Sequence, residues 1–280
     1  MTNNHIKFYI LIFILLLLRS FSSQPFILDF DVIGSFFMGF NLYSIQINER
    51  LIIHFPFHFL HLDAIISVLS SYILVQEIKY KNNLNKSLIY LASLALISQL
   101  FLAITIWRPR YFSLNWFYNL SGNLFYSLII SLIAIYFYRL IKTKFLAIFT
   151  FILIFLVQVY IPHFDLTIPI FASLFYIFKD ANSKKQAKVV FLFSILIFLF
   201  WELNPLIAMI FVSNTLVYLG INLSPLILRV LAGIFIYKYG LIEQKDESSS
   251  KNKTYLLLLL YPLHFLFVYL INFLFISSNL

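Results

Sequence analysis

The chain contains no cysteine, which excludes disulfides, thiol nucleophiles, haem-thiolate ligation and zinc held by thiolates, and leaves the redox compartment unmarked. Glycine and proline are scarce, at 6 and 8 of 280 residues, and no glycine-rich phosphate loop or dinucleotide motif occurs. That argues against ATP-driven transport. Charge is the third shortage: Asp, Glu, Lys and Arg make up 11 % of the chain against 62 % hydrophobic residues, with a mean hydropathy of +0.93. A water-soluble domain of this length cannot hide so much apolar surface, so the excess is expected to face lipid.

In place of these, the chain has apolar runs about as long as a bilayer is thick, following one another from Ile6 to Ile276. No polar block between them is large enough to fold by itself, so a single membrane domain over residues 1–280 is expected. The fold class is all-α: a polytopic integral membrane helix bundle of about eight to ten transmembrane helices, without a strand pattern or a usable internal repeat. The first run, Ile6 to Leu18, has the look of a signal-peptide core. Arg19 and the segment Ser20 to Pro25 offer no small-residue cleavage site, so it is read as a retained first helix.

A formal net charge of +9 would suggest a nucleic-acid partner in a soluble protein, but here the cations collect in short loops between apolar runs. No nucleic acid is expected; the partner is the bilayer. Lys79, Lys81 and Lys86 lie in one loop, Arg139, Lys142 and Lys144 in a second, and Lys179, Lys184, Lys185 and Lys188 in a third. Cytoplasmic loops are enriched in Lys and Arg, so all three are placed inside. Spans near 88–106 and 120–138 then form one hairpin through the outside, and spans near 145–161 and 166–178 a second, the latter short and containing Pro169. The run from about Phe55 to Val75 would descend from outside to inside.

Two regions fit this scheme poorly. Asp29 to Arg50 is moderately apolar yet charged, and reads as an external amphipathic segment or a poor span; if external, the N-terminus is inside. Val189 to Tyr237 is long enough for three spans, depending on whether Asn204-Pro205 and Ser224-Pro225 are loops or helix breaks. Lys238 to Lys253 would be an inner loop, followed by a last span from Tyr255 to Phe275.

Ionisable side chains inside a span cost roughly 2.5 to 3.5 kcal/mol on insertion scales, so each one there asks for a reason. The set is short: His54, His58, His61 and Asp63 near the start of one span, Asp165 at a boundary, Glu202, Arg229 and His264, with Gln76, Gln99, Asn123 and Gln158 as polar additions. His54, His58 and His61 have the i, i+4, i+7 spacing that would share a helical face, although Pro56 interrupts it. No metal site is expected. In Tyr261-Pro262-Leu263-His264, proline frees a backbone carbonyl and bends the last helix, which would aim His264 into the bundle as a proton acceptor. The plainer reading of His264 is a single interhelical hydrogen bond.

From about residue 71 onward four stretches resemble a known family. They are Tyr72-Ile73-Leu74-Val75-Gln76-Glu77 followed by Leu94-Ala95-Leu96-Ile97-Ser98-Gln99; Gly122-Asn123-Leu124-Phe125-Tyr126-Ser127-Leu128 running to Ala134-Ile135-Tyr136; Phe164-Asp165 leading to Leu174-Phe175-Tyr176-Ile177-Phe178; and Tyr261-Pro262-Leu263-His264. In order and spacing these are similar to the TraX family of membrane proteins, implicated in N-terminal acetylation of conjugative pilin. Within this resemblance residues 51–280 form the TraX-like helical core, and residues 1–50 a divergent N-terminal helix with an external or interfacial segment. The chain departs from the family in lacking an adjacent Asp-His pair near the end of its first helix and the Tyr and Gly that usually follow Asp165.

The resemblance implies an integral membrane acyltransferase of the bacterial inner membrane, taking acetyl from acetyl-CoA at the cytoplasmic side to an amine or hydroxyl of a pilin-like protein or a glycan. It implies His264 and Asp165 as catalytic residues, with Asn123, Gln99, Tyr261 and Glu77 around the substrate. Two alternatives stand beside it. Pro25, Asp29 and Asp31, then Pro56 and Asp63, resemble the start of multispanning polyprenyl-phosphate-dependent glycosyltransferases, in which an acid of the first external loop is catalytic. The other is a non-catalytic transport or assembly component.

Overall fold

The computed structural model describes residues 3–23, 26–29, 43–47, 50–54, 62–79, 84–107, 124–141, 167–202 and 215–240, with isolated helical positions at 263, 266 and 270. Seven α-helices lie among these residues: α1 Asn3–Ser23, α2 Asp63–Ile78, α3 Asn85–Trp107, α4 Leu124–Leu140, α5 Thr167–Ile177, α6 Ser183–Ile197 and α7 Thr215–Tyr239. A π-helical turn, Phe198–Glu202, extends α6. The expected helical class holds for these segments, and the first apolar run lies within α1. Helices of 16, 17, 11 and 15 residues (α2, α4, α5, α6) fall short of the roughly 20 that cross a bilayer. The longer α1, α3 and α7 have side-chain environments described over only part of their length, and among the described residues no helix is long and apolar enough to cross a membrane.

One departure from the helical reading is a small antiparallel sheet made of β1 Phe26–Asp29, β2 Tyr43–Ile47 and β3 Arg50–His54, in the order β1-β3-β2. It overlaps the stretch Asp29 to Arg50, read as an external amphipathic segment or a poor span. Its strands are rich in Ile, Leu and Tyr, which suit a pleated surface, and the register sets Asp29 opposite Arg50. His54 ends β3 opposite Tyr43. A strand sends alternate side chains to opposite faces, so the helical face proposed for His54, His58 and His61 does not form; His58 and His61 lie outside the described residues.

Within the stretch from Val189 to Tyr237, long enough for three spans, the described residues belong to α6 with its π-helical turn and to α7, and residues 203–214 lie outside them. Ser224-Pro225 is no loop: Pro225 sits within α7. Asn204-Pro205 lies outside the described residues. The remaining expected spans, near 145–161 and from Tyr255, also lie outside them apart from the isolated helical positions.

Contacts fix the helix directions. Arg139, in the last turn of α4, donates from Nη2 to the carbonyl of Ile78, the last residue of α2, at 2.7 Å, and from Nε to the Tyr176 hydroxyl near the end of α5 at 2.6 Å. Hence α2, α4 and α5 all finish at one end of the bundle. Ser71 Oγ donates to the carbonyl of Ile168 at 2.9 Å, which confirms that α2 and α5 run parallel. A tight turn then starts α6, whose first N–H groups are capped by Asn182: its Oδ1 accepts from the Lys185 backbone N–H at 2.9 Å.

Along α7, a methyl group at Gly233 would meet Val190 of α6, and one at Gly240 would lie 2.5 Å from Ser183 Cβ. Two turns forward in α7 is thus two turns back in α6, and the helices are antiparallel. Lys7 over the Tyr239 ring, at 4.8 Å from its centre, puts the start of α1 at that same end. All three basic loops therefore converge on one side of the bundle, as the charge pattern predicts.

The core joins the helices through aromatic rings. Tyr72, wholly buried on α2, stacks on Phe8 of α1 at 5.4 Å and meets Phe175 of α5 edge-on at 5.3 Å, while Phe8 meets Phe235 of α7 edge-on at 4.7 Å. Such pairs add about 0.5–1.5 kcal/mol each beyond area burial. The buried apolar cluster draws on all seven helices.

Side chains facing outward are apolar. Ile89 is 67 % exposed, Leu140 58 % and Phe200 78 %, and every described helix except α2 carries large hydrophobic residues on its outer side. Conversely, buried positions hold hydroxyls: Ser67, Ser71, Ser127, Ser131 and Ser194 are each no more than 2 % exposed. Most are satisfied within their own helix. Ser71, Ser131 and Ser194 donate to the carbonyls four residues earlier, at 2.6 to 2.7 Å.

Gly240→Ala places a methyl group against backbone-anchored atoms of α6 and is expected to destabilise the purified protein by about 1–3 kcal/mol, read as a lowered thermal midpoint. Gly233→Ala, whose nearest neighbour is Val190 Cγ1 at 3.3 Å, is expected to cost less. Equal midpoints for wild type and Gly240→Ala would rule out this approach of α6 and α7.

Candidate functional site

The densest polar arrangement among the described residues lies where the basic loops meet. Arg139 is half-buried, and its cation sits among the C-terminal ends of α2, α4 and α5. The last four carbonyls of a helix have no intrahelical donor, and each helix end carries about half a negative charge. Arg139 supplies the donor to Ile78 and a positive charge where three such ends gather. Its guanidinium carbon lies 5.1 Å from the centre of the Tyr176 ring, and Lys179 Nζ lies 4.8 Å from the same ring. Tyr138 holds Tyr176 from another side, edge-on at 5.9 Å.

The turn after α5 brings more cations to this cluster. Gln186 Nε2 donates to the Phe178 carbonyl at 3.1 Å, pinning the first turn of α6 over the end of α5, and Lys185 lies 5.9 Å from the Phe178 ring centre. A second cation–aromatic group stands at the same end of the bundle: Lys7 of α1 and Lys238 of α7 approach the Tyr239 ring at 4.8 and 5.3 Å. Guanidinium and ammonium groups held in this way have the chemistry to bind phosphates or carboxylates.

Of the sequence-predicted site residues, Glu77 and Gln99 are among those described. Glu77 is half-buried in the last turn of α2, beside the Ile78 carbonyl that Arg139 engages. Gln99 is buried on α3, next to Ser98 and on the stripe with Leu91, Leu94 and Ala95 that turns inward. Since α3 starts close after α2 ends, Gln99 stands roughly 20 Å further along the bundle than Glu77, at a rise of about 1.5 Å per residue. Asn123, which directly precedes α4, lies outside the described residues, as do Asp165, Tyr261 and His264. Among the described residues no group of three or more His, Asp or Glu could hold a metal ion.

Arg229 is the buried cation of the interior, 3 % exposed on α7 one turn after Pro225. The pairing of α7 with α6 sets it level with the buried Ser194. On α3, Ser98 Oγ is buried with no hydrogen-bond partner. Asp29, one of the acids quoted for the glycosyltransferase reading, stands opposite Arg50 across the β1–β3 ladder.

Sequence reasoning counted Arg139 and Lys179 as topology signals and missed their shared tyrosine. The signal was present: the three basic loops had to lie on one side, and the aromatic stretch ending in Phe178 runs into the third. No protein-family model matches the chain, and neither a curated protein nor a solved structure matches it.

Arg139→Ala leaves the end of α2 without its donor and is expected to cost about 1.5–3 kcal/mol, the range for hydrogen bonds to charged groups. Arg139→Lys should recover only part, because one ammonium cannot reproduce the two-nitrogen geometry. Thermal midpoints of the three proteins check the order. Ser98→Ala removes a buried hydroxyl that has no partner and is expected to be neutral or to stabilise by up to about 1 kcal/mol; a loss of more than that in the same assay would mean the hydroxyl has a partner.

Proposed function

We propose that this chain is an integral protein of the bacterial inner membrane and a TraX-like acyltransferase, with its basic end in the cytoplasm. The membrane part rests on one observation: the outer surface of the described helices is apolar as well as their core. Large apolar side chains such as Ile89, Leu96 and Phe200 point outward, and serines that bond within their own helix point inward. Water would penalise that outer surface, whereas hydrocarbon does not, and small hydroxyl residues at helix interfaces are what close packing in lipid favours. The gathering of basic loops at one end supports the same orientation.

Acyl transfer is supported by the order of the polar anchors Glu77, Gln99, Asn123, Asp165, Tyr261 and His264 along the chain. In the proposed reaction an acceptor amine or hydroxyl attacks the carbonyl carbon of the acetyl thioester, and His264, as neutral imidazole, takes the acceptor's proton. The carbon–sulfur bond then breaks and CoA leaves as thiolate. Amide N–H groups of Asn123 or Gln99 donate to the oxyanion that forms in between, and Asp165 orients the base. Acetyl-CoA enters from the cytoplasmic, basic side, and the acceptor is a pilin-like protein or a glycan.

Transfer of labelled acetyl from acetyl-CoA by the purified protein in nanodiscs tests this. His264→Ala is expected to lower the rate by about 10²-fold or more, the usual worth of a positioned base. Full activity in that variant would remove His264 from the chemistry. Wild type that neither binds nor turns over acetyl-CoA would leave a polyprenyl-phosphate donor or a non-catalytic membrane component as the better reading.

A further inference from the structure

Each of the seven helix termini at the basic end carries a cation. Lys79, Arg139, Lys179 and Lys238 stand at the helices that finish there; Lys7, Lys86 and Lys184 stand at those that start there. For the finishing helices a cation is the favourable partner of the helix dipole. For the starting helices it is the unfavourable one, and no acidic residue occupies the first turn of α1, α3 or α6. Lys184 and Lys185 are nevertheless both there, exposed, with Lys188 one turn on. Glu77 and Asp180 are the described carboxylates at this end. Lys7 and Lys185 have aromatic rings beside them, but the helix ends give Lys86 and Lys184 no favourable partner; an external anion would.

The surroundings of these cations indicate which anion. Directly beside them, toward the middle of the bundle, the surface is apolar: Ile89 is exposed one turn from Lys86, and Phe191 and Leu192 one turn from Lys188. A free phosphate or a nucleic acid would leave that apolar flank unmatched. A molecule with an anionic head and hydrocarbon chains matches both parts.

We propose that the basic end binds anionic phospholipids of the inner leaflet, their phosphates held by the lysines of the starting helices and their acyl chains lying along the adjoining apolar flank. This inference rests on the membrane placement proposed above. Fixed cations such as Lys7 and Lys238 over Tyr239, and Lys179 over Tyr176, present charge without a further ordering cost. Attraction of each basic residue to an anionic leaflet corresponds to about a fivefold preference.

The experiment is mass spectrometry of lipids retained by the full-length protein after exposure to equal phosphatidylglycerol and phosphatidylcholine. Wild type is expected to retain phosphatidylglycerol selectively, and Lys184→Gln/Lys185→Gln, which alters only exposed side chains, to lose at least about fivefold of that selectivity. Equal retention of the two lipids by wild type overturns the proposal. So does undiminished selectivity in the double variant, or displacement of phosphatidylglycerol by inorganic phosphate, which would mark a site for a soluble anion. Carbonate washing of native membranes is the separate control: release of the protein would refute its membrane placement, whereas an embedded protein without lipid selectivity would refute this inference alone.

Discussion

Arg139 ties three parallel helices together at the end where their dipoles add. Parallel neighbours are electrostatically awkward, because their carbonyl-rich ends gather in one place, and in a low-dielectric surround that cost is felt over longer distances than in water. One guanidinium answers it with a bond to the Ile78 carbonyl, a bond to the Tyr176 hydroxyl and its charge. The positions of α2, α4 and α5 then set the others. Tyr72 and Phe175 face each other across α2 and α5, and Phe8 and Phe235 close the gap to α1 and α7.

A second constraint is polar satisfaction inside the bundle. Hydroxyls at Ser71, Ser131 and Ser194 return their hydrogen bonds to the preceding turn of their own helices, so the interior tolerates them without water. Ser71 also reaches the Ile168 carbonyl of α5, and this shared donor brings two backbones close. Gly233 and Gly240 play the equivalent part between α7 and α6 by leaving out a side chain where the helices approach. Close approach and aromatic contact hold the described helices together, which fits the proposed membrane placement.

The basic end combines structural and binding chemistry in the same residues. Arg139 and Lys179 serve helix ends and a tyrosine ring, whereas Lys86 and Lys184 stand at the starts of α3 and α6, where the helix dipole disfavours a cation. That division separates cations that complete the fold from cations available to the surroundings. Of the proposed acyl-transfer residues, Gln99 lies deep along α3 and Glu77 at the basic end.

Much of the helical layout was legible in the chain itself. The apolar runs near 88–106, 120–138 and 166–178 correspond to α3, α4 and α5, and the loops of Lys and Arg foretold which ends would meet, because run length and loop charge respond to solvent and depth rather than to any particular neighbour. The candidate site was legible only as separate polar anchors, since their convergence depends on packing.

Three features were decided by tertiary structure alone. Strand pairing among Phe26 to His54 depends on partners distant in sequence, and it withdrew His54 from a helical face. Pro225 reads locally as a break, yet α7 continues through it, as helices do when neighbours satisfy the freed backbone groups. The choice of Tyr72, Phe8 and Arg139 as the joints of the bundle could not be read from composition either: in a chain where aromatic and aliphatic residues fill nearly every position, only the three-dimensional approach of particular helices separates a core ring from one that faces outward.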